Sequence, residues 1–292
     1  MNTQIFHHIL IPVDFSPTCE SAIEEGAFIA KSFGADIVLL HAIEGMHSYP
    51  QNWFTGCEPS TINGIIRKKV SAKLNTYAKK IRLKYEISVE NLTHVGKPTE
   101  VISETVAERD IDLIVMGTHG ARGFEEFFLG SNANKIVNLA PCPVITIRQG
   151  FHENGIKSIV LPIDDSLHSR QKVNDVIPIA EKCNAVVHLL GLIQSNNPVE
   201  LAKLNIKLDT VEELANKAGL KCVRKVVNGH NIAMEAMKYA EEVKAQMLAI
   251  MTDHESNMTG MFMGVFAQQI VNHSKVPVLS IRPIKGNYAY PT

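Results

Sequence analysis

The sequence predicts an α/β protein built as two tandem copies of one domain, each a doubly wound, five-stranded, mostly parallel sheet. Three observations carry this. First, the chain repeats itself. Ile9-Leu-Ile-Pro-Val-Asp-Phe-Ser16 returns as Ile159-Val-Leu-Pro-Ile-Asp-Asp-Ser166, Leu113-Ile-Val-Met116 as Leu248-Ala-Ile-Met251, and Pro143-Val-Ile-Thr-Ile-Arg148 as Pro277-Val-Leu-Ser-Ile-Arg282. Second, the strand segments are continuous runs of Val, Ile and Leu, the pattern of strands covered on both faces. Third, these runs alternate with helical stretches, which implies right-handed crossovers and parallel pairing. A length of 292 residues suits two domains.

In the first copy the run at 9–13 ends in Asp14. Ser16 suits a helix N-cap with Pro17 at the first helical position. That helix runs to Phe33, with Gly34 as its stop. A strand over 37–42 follows, then a loop over 44–58 and a helix over 60–84. A strand lies near 86–94, a helix over 98–109 and a strand over 113–116. A glycine-bearing loop covers 117–130 and leads to a helix over 132–139 and a strand over 143–148. The second copy has strands near 158–163, 185–192, 221–227, 247–251 and 277–281. Its helices fall near 167–182, 199–218, 231–244 and 266–273, and it lacks material matching roughly 44–58. The domains are expected at 1–149 and 156–286, with 149–155 as linker.

Composition narrows the function. Hydrophobic residues make up 45% and charged residues 20%, an ordinary soluble globular mixture. A net charge of −1 gives no overall electrostatic case for nucleic acid or an anionic membrane. No apolar run approaches the ~18 residues of a membrane span. The N-terminus lacks a basic stretch followed by an apolar one, so no signal peptide is expected. The five cysteines are odd in number and scattered, with no Cys-x-x-Cys pair, which fits a reduced, cytoplasmic compartment.

The segment that carries chemistry is Gly117-Thr-His-Gly120-Ala-Arg-Gly123-Phe-Glu-Glu-Phe-Phe-Leu-Gly130-Ser131. It follows an apolar strand and opens a helix, at the sheet edge where ligands of such folds sit. Glycines permit close backbone approach to a phosphate, and the amides at the helix start point outward with partial positive charge. Ser131 is expected to cap that helix or to donate to a phosphate oxygen. The spacing is neither Gly-x-Gly-x-x-Gly nor a P-loop, and no lysine is placed as in a P-loop.

At these residues the chain resembles the universal stress protein family. Its ATP-binding members carry Gly-x-x-Gly-x(9)-Gly-Ser/Thr, matched by Gly117, Gly120, Gly130 and Ser131. The flanks match as well: Ile-Pro-Val-Asp at 11–14, Leu-Leu-His-Ala at 39–42 and Ala-Pro-Cys-Pro-Val at 140–144. The resemblance implies an adenine nucleotide alpha hydrolase-like fold with strand order 3-2-1-4-5, once per copy. It implies ATP as ligand, with or without Mg2+. Pro12, Val13 and Asp14 would lie beside the nucleotide, Asp14 near the ribose or a bound metal. Ala42 would meet the adenine through its backbone. Met116 and Gly117 would lie along the ribose and α-phosphate, His119 and Gly120 would approach the phosphates, and Gly130, Ser131 and Asn132 would cradle them. The family is usually dimeric, so the resemblance implies a covalent pseudo-dimer, with the two fifth strands pairing. A homodimer of whole chains stays open.

The second copy departs from the pattern. Pairing Met116 with Met251 puts Thr252 opposite Gly117 and Glu255 opposite Gly120, with a connecting loop one residue shorter. Pairing the closing helices puts Gly264 opposite Gly130 and Val265 opposite Ser131. Glu255 would bring a carboxylate to the phosphate oxygens; two unit charges ~4 Å apart repel by about 1 kcal/mol in water and several times that in a partly dry site. ATP is therefore expected in the first domain only, while Asp164 leaves room there for a different ligand.

Structural explanations compete at each position. The glycines serve as turn residues, Asp14 and Asp164 as strand ends, Ser131 as a cap, and His119 and Arg122 as solvated loop residues. Adjacent residues rarely converge on one metal, so Asp253-His254-Glu255 is assigned none. Met258, Met261 and Met263 read as filler, and Phe124, Phe127, Phe128 and Leu129 as a packing anchor. The expected function is a nucleotide-dependent regulatory protein of stress resistance. The alternatives are a slow ATPase or nucleotidyl-transfer enzyme, for which no clear general base or lysine clamp is present, and a nucleotide-independent scaffold.

Overall fold

The computed structural model describes residues 5–56, 58, 61–118, 130–151, 155–164, 169–252 and 263–283. The chain divides into two compact units, Met1–Ile136 with Val144–Gly155, and Val137–Pro143 with Ile156–Thr292.

The first unit runs β1 (His8–Pro12), α1 (Pro17–Phe33), β2 (Asp36–Ile43), α2 (Ile62–Tyr85), β3 (Val89–Val95), α3 (Pro98–Glu108), β4 (Leu113–Gly117), the start of α4 (Ser131–Leu139) and β5 (Val144–Ile147). Its strand order is β3-β2-β1-β4-β5, with neighbouring strands parallel. The second unit runs β6 (Ser158–Ile163), α5 (Val173–Cys183), β7 (Val186–Ile193), α6 (Pro198–Lys217), β8 (Cys222–Asn228), α7 (Ile232–Glu242), β9 (Met247–Met251), α8 (Val265–His273) and β10 (Val278–Ile281). Its order is β8-β7-β6-β9-β10, again parallel. Both are the 3-2-1-4-5 arrangement that the resemblance implies. The order in which strands are added reverses between β1 and β4, and between β6 and β9, and in such sheets each switch point opens a crevice at the strands' carboxyl ends.

Local chemistry accounts for the elements. The central strands supply the wholly buried Ile9, Leu10, Ile11, Leu113 and Ile114. The outer strands β3 and β8 are mostly exposed and carry charge, which blunts an open edge. In α1 the Ser16 hydroxyl accepts from the Cys19 amide at 3.1 Å, and Gly34 closes the helix at φ +72°. Glu20 in the first turn and Lys31 in the last complement the helix dipole. The loop after β2 contains two short 3-10 turns, Met46–Ser48 and Gln51–Trp53.

One helix departs from expectation. α5 begins at Val173, not near 167. Residues 169–172 form a turn, in which the Ser169 hydroxyl accepts from the Asp164 amide at 3.0 Å. The first copy starts its helix on Ser16-Pro17, whereas the second has Leu167 in place of the proline, so the fixed φ that helps the early start is missing.

Candidate functional site

The turn that follows β1 carries three residues at the crevice, Val13, Asp14 and Phe15. The Val13 amide donates to the Leu40 carbonyl at 2.7 Å and holds the strand end against β2. Asp14 is exposed, and its Oδ1 accepts from the Ser16 amide at 3.0 Å and the Ser16 hydroxyl at 2.7 Å. The same hydroxyl accepts from Cys19, so Asp14 organises the entry to α1. Between them Phe15 sits at φ +63°, a conformation that costs a non-glycine residue about 1 kcal/mol or more.

Strand β4 faces this turn. Met116 is buried and Gly117 half-buried. A Cβ on Gly117 would lie 2.8 Å from Thr18 Cγ2 and 3.2 Å from the Thr18 carbonyl carbon, so the first turn of α1 leaves room only for glycine. The Thr118 amide donates to Ile147 at 3.0 Å, and the Thr118 carbonyl accepts from Gly130 at 2.8 Å. The Gly130 carbonyl then accepts from Asn134 at 2.9 Å. Gly130 thus occupies the cap position, and Ser131 is the first residue of α4 rather than its cap. This corrects the capping role expected for Ser131: the glycine carbonyl takes the first helical bond. The amides of Ser131, Asn132 and Ala133 precede that bond and have no acceptor within the helix. The Ser131 and Asn132 side chains are exposed.

Of the expected site residues, the structure brings Pro12, Val13 and Asp14 at the end of β1 together with Met116 and Gly117 at the end of β4, through adjacent parallel strands. Gly130, Ser131 and Asn132 join them through the Thr118–Gly130 bond. Ala42 lies near the end of β2, one strand away, paired with His94. His119 and Gly120 lie outside the described residues, as do Arg122, the phenylalanines of that loop and Asp253–Glu255. Among the described residues no cluster of three or more His, Cys, Asp or Glu side chains is placed to hold a metal ion.

An aromatic group beside this edge escapes sequence reading. His41 is buried, with Nδ1 2.6 Å from the Val13 carbonyl and Nε2 3.0 Å from the Tyr49 hydroxyl. Its ring centroid lies 4.7 Å from Phe15, and Tyr49 stacks on Trp53 at 5.6 Å. Burial holds the imidazole below its ordinary pKa. A carbonyl only accepts, so Nδ1 carries the proton and Nε2 accepts from Tyr49. The available signal was a lone histidine in the apolar run of β2, followed by aromatics in the next loop.

The second unit repeats the backbone connection. Thr252 donates to Ile281 at 2.9 Å, Gly264 to Thr252 at 3.1 Å, and Gln268 to Gly264 at 2.9 Å. Thr252 is therefore the counterpart of Thr118, not of Gly117. Strand pairing agrees: Leu113 sits opposite Ile9, and Met247 opposite Ile159. Met251 takes the place of Gly117, and the two connecting loops have equal length. Counting from the threonines puts His254 opposite Gly120 and Glu255 opposite Ala121. The expected clash of Glu255 at the Gly120 position rested on matching the two methionines, one residue out of register. Met251 is buried there, and α5 starts later than α1, at the counterpart of Ile23. Val265, 65% exposed, stands where Ser131 does. Nearby, Lys172 is 4% exposed, and its ammonium donates to the Ser169 carbonyl at 2.7 Å. The equivalent position in the first repeat is Ala22.

A doubly wound sheet, repeated in tandem with a strand-to-helix glycine connection at the carboxyl edge of each copy, defines a class of tandem α/β proteins. The universal stress protein family model matches residues 5–148 and again 155–282, and the chain belongs to that family. Curated relatives match one repeat each. Universal stress protein A homolog 1 of Coxiella burnetii is 31% identical over 149 residues, 49% of this chain and 96% of its own length. Universal stress protein YxiE of Bacillus subtilis is 25% identical over 154 residues, 49% of this chain and 100% of its own length. The crystal structure of a universal stress protein from Archaeoglobus fulgidus covers 94% of this chain and 96% of its own, with a TM-score of 0.73 and 18% identity, a likeness of fold.

Proposed function

We propose that the protein is a nucleotide-dependent regulatory member of its family that binds ATP in the first domain only, with occupancy rather than turnover as its output. The observation that carries this is the Thr118–Gly130 bond. It brings the α4 N-terminus, with its three outward amides and the exposed Ser131 and Asn132, to the end of β4 beside Asp14. Such a terminus suits phosphate oxygens through aligned amides and the helix dipole. In this reading Pro12, Val13 and Asp14 border the ribose, and the Ala42 backbone meets the base. Met116 and Gly117 lie along the ribose and α-phosphate, and His119, Gly120, Gly130, Ser131 and Asn132 surround the phosphates. Mg2+, where present, would be held mainly by phosphate oxygens and water, with Asp14 the protein's single contribution.

The second repeat supports the restriction to one site. It keeps the backbone connection and Gly264 but places Met251 at the Gly117 position and removes the serine hydroxyl at Val265. Among the described residues Cys19, Cys183 and Cys222 form no disulfide, which suits a reducing, cytoplasmic location.

Purified protein is denatured, any released nucleotide is identified by mass, and ATP is titrated calorimetrically into nucleotide-free protein. The expected result is one ATP per chain, abolished by Gly130→Asp and retained in Gly264→Asp. Two per chain would overturn the single-site assignment, and no binding at low-millimolar ATP would overturn the nucleotide reading. Efficient hydrolysis lost in Gly130→Asp would establish an enzyme instead.

A further inference from the structure

Charge in this chain is unevenly placed. The 24 residues of α2 carry eight lysines and arginines and no aspartate or glutamate. The whole sequence balances 29 basic residues against 30 acidic ones. The counterpart in the second domain, α6, carries four acidic and three basic residues on the same fold. The architecture therefore does not require a cationic helix at this place.

The charges form a surface with a defined end. Lys69, Lys73, Lys80 and Lys84 recur at helical spacing and share one side of α2, a stripe roughly 22 Å long at 1.5 Å per residue. At one end the Lys69 ammonium lies 5.0 Å from the Trp53 ring centroid, and that of Lys73 lies 5.4 Å from Trp53 and 4.8 Å from Phe15. At the other end Lys84 is neutralised by Glu24 at 2.7 Å. Lys80 makes no ion pair among the described residues. One turn after Lys80, Leu83 is 74% exposed.

We propose that the outer face of α2, with Trp53 at its end, is a docking surface for an acidic peptide segment of a partner protein. Charge complementarity argues for carboxylates, and the exposed Leu83 asks for an apolar side chain between them. A nucleic acid strand fits less well. Glu20 and Glu24 of α1 line the groove beside Lys80 and Lys84, and a continuous phosphate chain along the stripe would meet those carboxylates. A peptide places its charges singly.

The test uses the full chain and a fluorescein-labelled synthetic peptide of alternating glutamate and aspartate with central leucine and phenylalanine. Binding is read by anisotropy and by emission of Trp53, the single tryptophan of the chain. Saturable binding that weakens with added salt is expected. Lys69→Glu with Lys73→Glu should weaken it by about tenfold or more, since each contact is a surface ion pair. Leu83→Ser, which leaves the charge alone, should weaken it severalfold. Lys203→Glu with Lys217→Glu, on α6, should change nothing. No saturable binding, or equal losses from the α2 and α6 variants, would overturn the proposal. Tighter binding of a labelled oligothymidylate than of the peptide would overturn it in favour of nucleic acid.

Discussion

His41 and Val13 are joined by a 2.6 Å hydrogen bond from the imidazole Nδ1 to the Val13 carbonyl, which ties β2 to the residue just past the end of β1. The ring is neutral because burial lowers its pKa from 6.5. The unfolded chain takes up a proton near 6.5 that the folded ring resists, so stability is full above that pH and is lost as the pH falls below it. Denaturant unfolding of the wild type at pH above and below 6.5 should show this loss. His41→Phe should lower stability by about 1 kcal/mol at neutral pH, through the lost hydrogen bonds, and should flatten the acid slope. His188, also lowered by burial, supplies a slope of its own that both proteins share. An unchanged acid slope in His41→Phe would show that His41 does not carry the effect.

Gly117→Ala should destabilise the first domain by about 1–3 kcal/mol, because the new methyl group meets Thr18 at 2.8 Å. Thr18→Ala should recover part of this in the double variant, leaving the 3.2 Å approach to the Thr18 backbone. The counterpart behaves oppositely. Met251 is buried, so Met251→Ala removes packing and should cost about 2–5 kcal/mol. Urea denaturation of the three variants decides. A neutral Gly117→Ala would mean that the turn at Thr18 yields easily.

The strands and the bounds of α1 were legible because each is written locally, whereas the strand order followed only from the family resemblance. Apolar runs mark buried strands, and Ser16-Pro17 and Gly34 mark the two ends of a helix. Register between the repeats was not, because Met116 and Met251 match by identity while strand pairing sets Met251 opposite Gly117. The late start of α5 was hidden for a related reason, since Ser166 resembles Ser16 but no proline follows. The group formed by Phe15, His41, Tyr49 and Trp53 draws on the turn after β1, on β2 and on the next loop. Its members share no sequence period and meet only after the crossover is folded. Two residues of the proposed nucleotide site, His119 and Gly120, lie outside the described residues.

Ser16→Ala removes a hydroxyl that accepts from Cys19 and donates to Asp14. The lost cap should cost about 0.5–2 kcal/mol. Asp14→Asn keeps a side-chain oxygen for the Ser16 amide and should cost less. If Asp14 serves a ligand, Asp14→Asn should weaken ATP binding more than it lowers stability. Calorimetric titration beside a melting curve separates the two, and equal losses in both would reduce Asp14 to a structural role.

Lys172 places an ammonium group inside the second domain, where the first has Ala22. Its Nζ donates to the Ser169 carbonyl at 2.7 Å, and the Asp164 carboxylate favours the charge, yet burial pushes its pKa down to about 8. The unfolded lysine titrates at 10.5. Between those values the unfolded chain binds more protons, so stability rises with pH through that window, and the penalty is fully present below about 8. Lys172→Met keeps the length and removes the charge. It should stabilise the second domain by about 1–3 kcal/mol at neutral pH, with the advantage narrowing as the wild-type amine loses its proton. Unfolding curves of both proteins at pH 7 and pH 10 supply the comparison. A less stable Lys172→Met at pH 7 would mean that the bonds to Ser169 and the attraction of Asp164 outweigh the cost of burying the charge, and that the ammonium holds the turn before α5 in place.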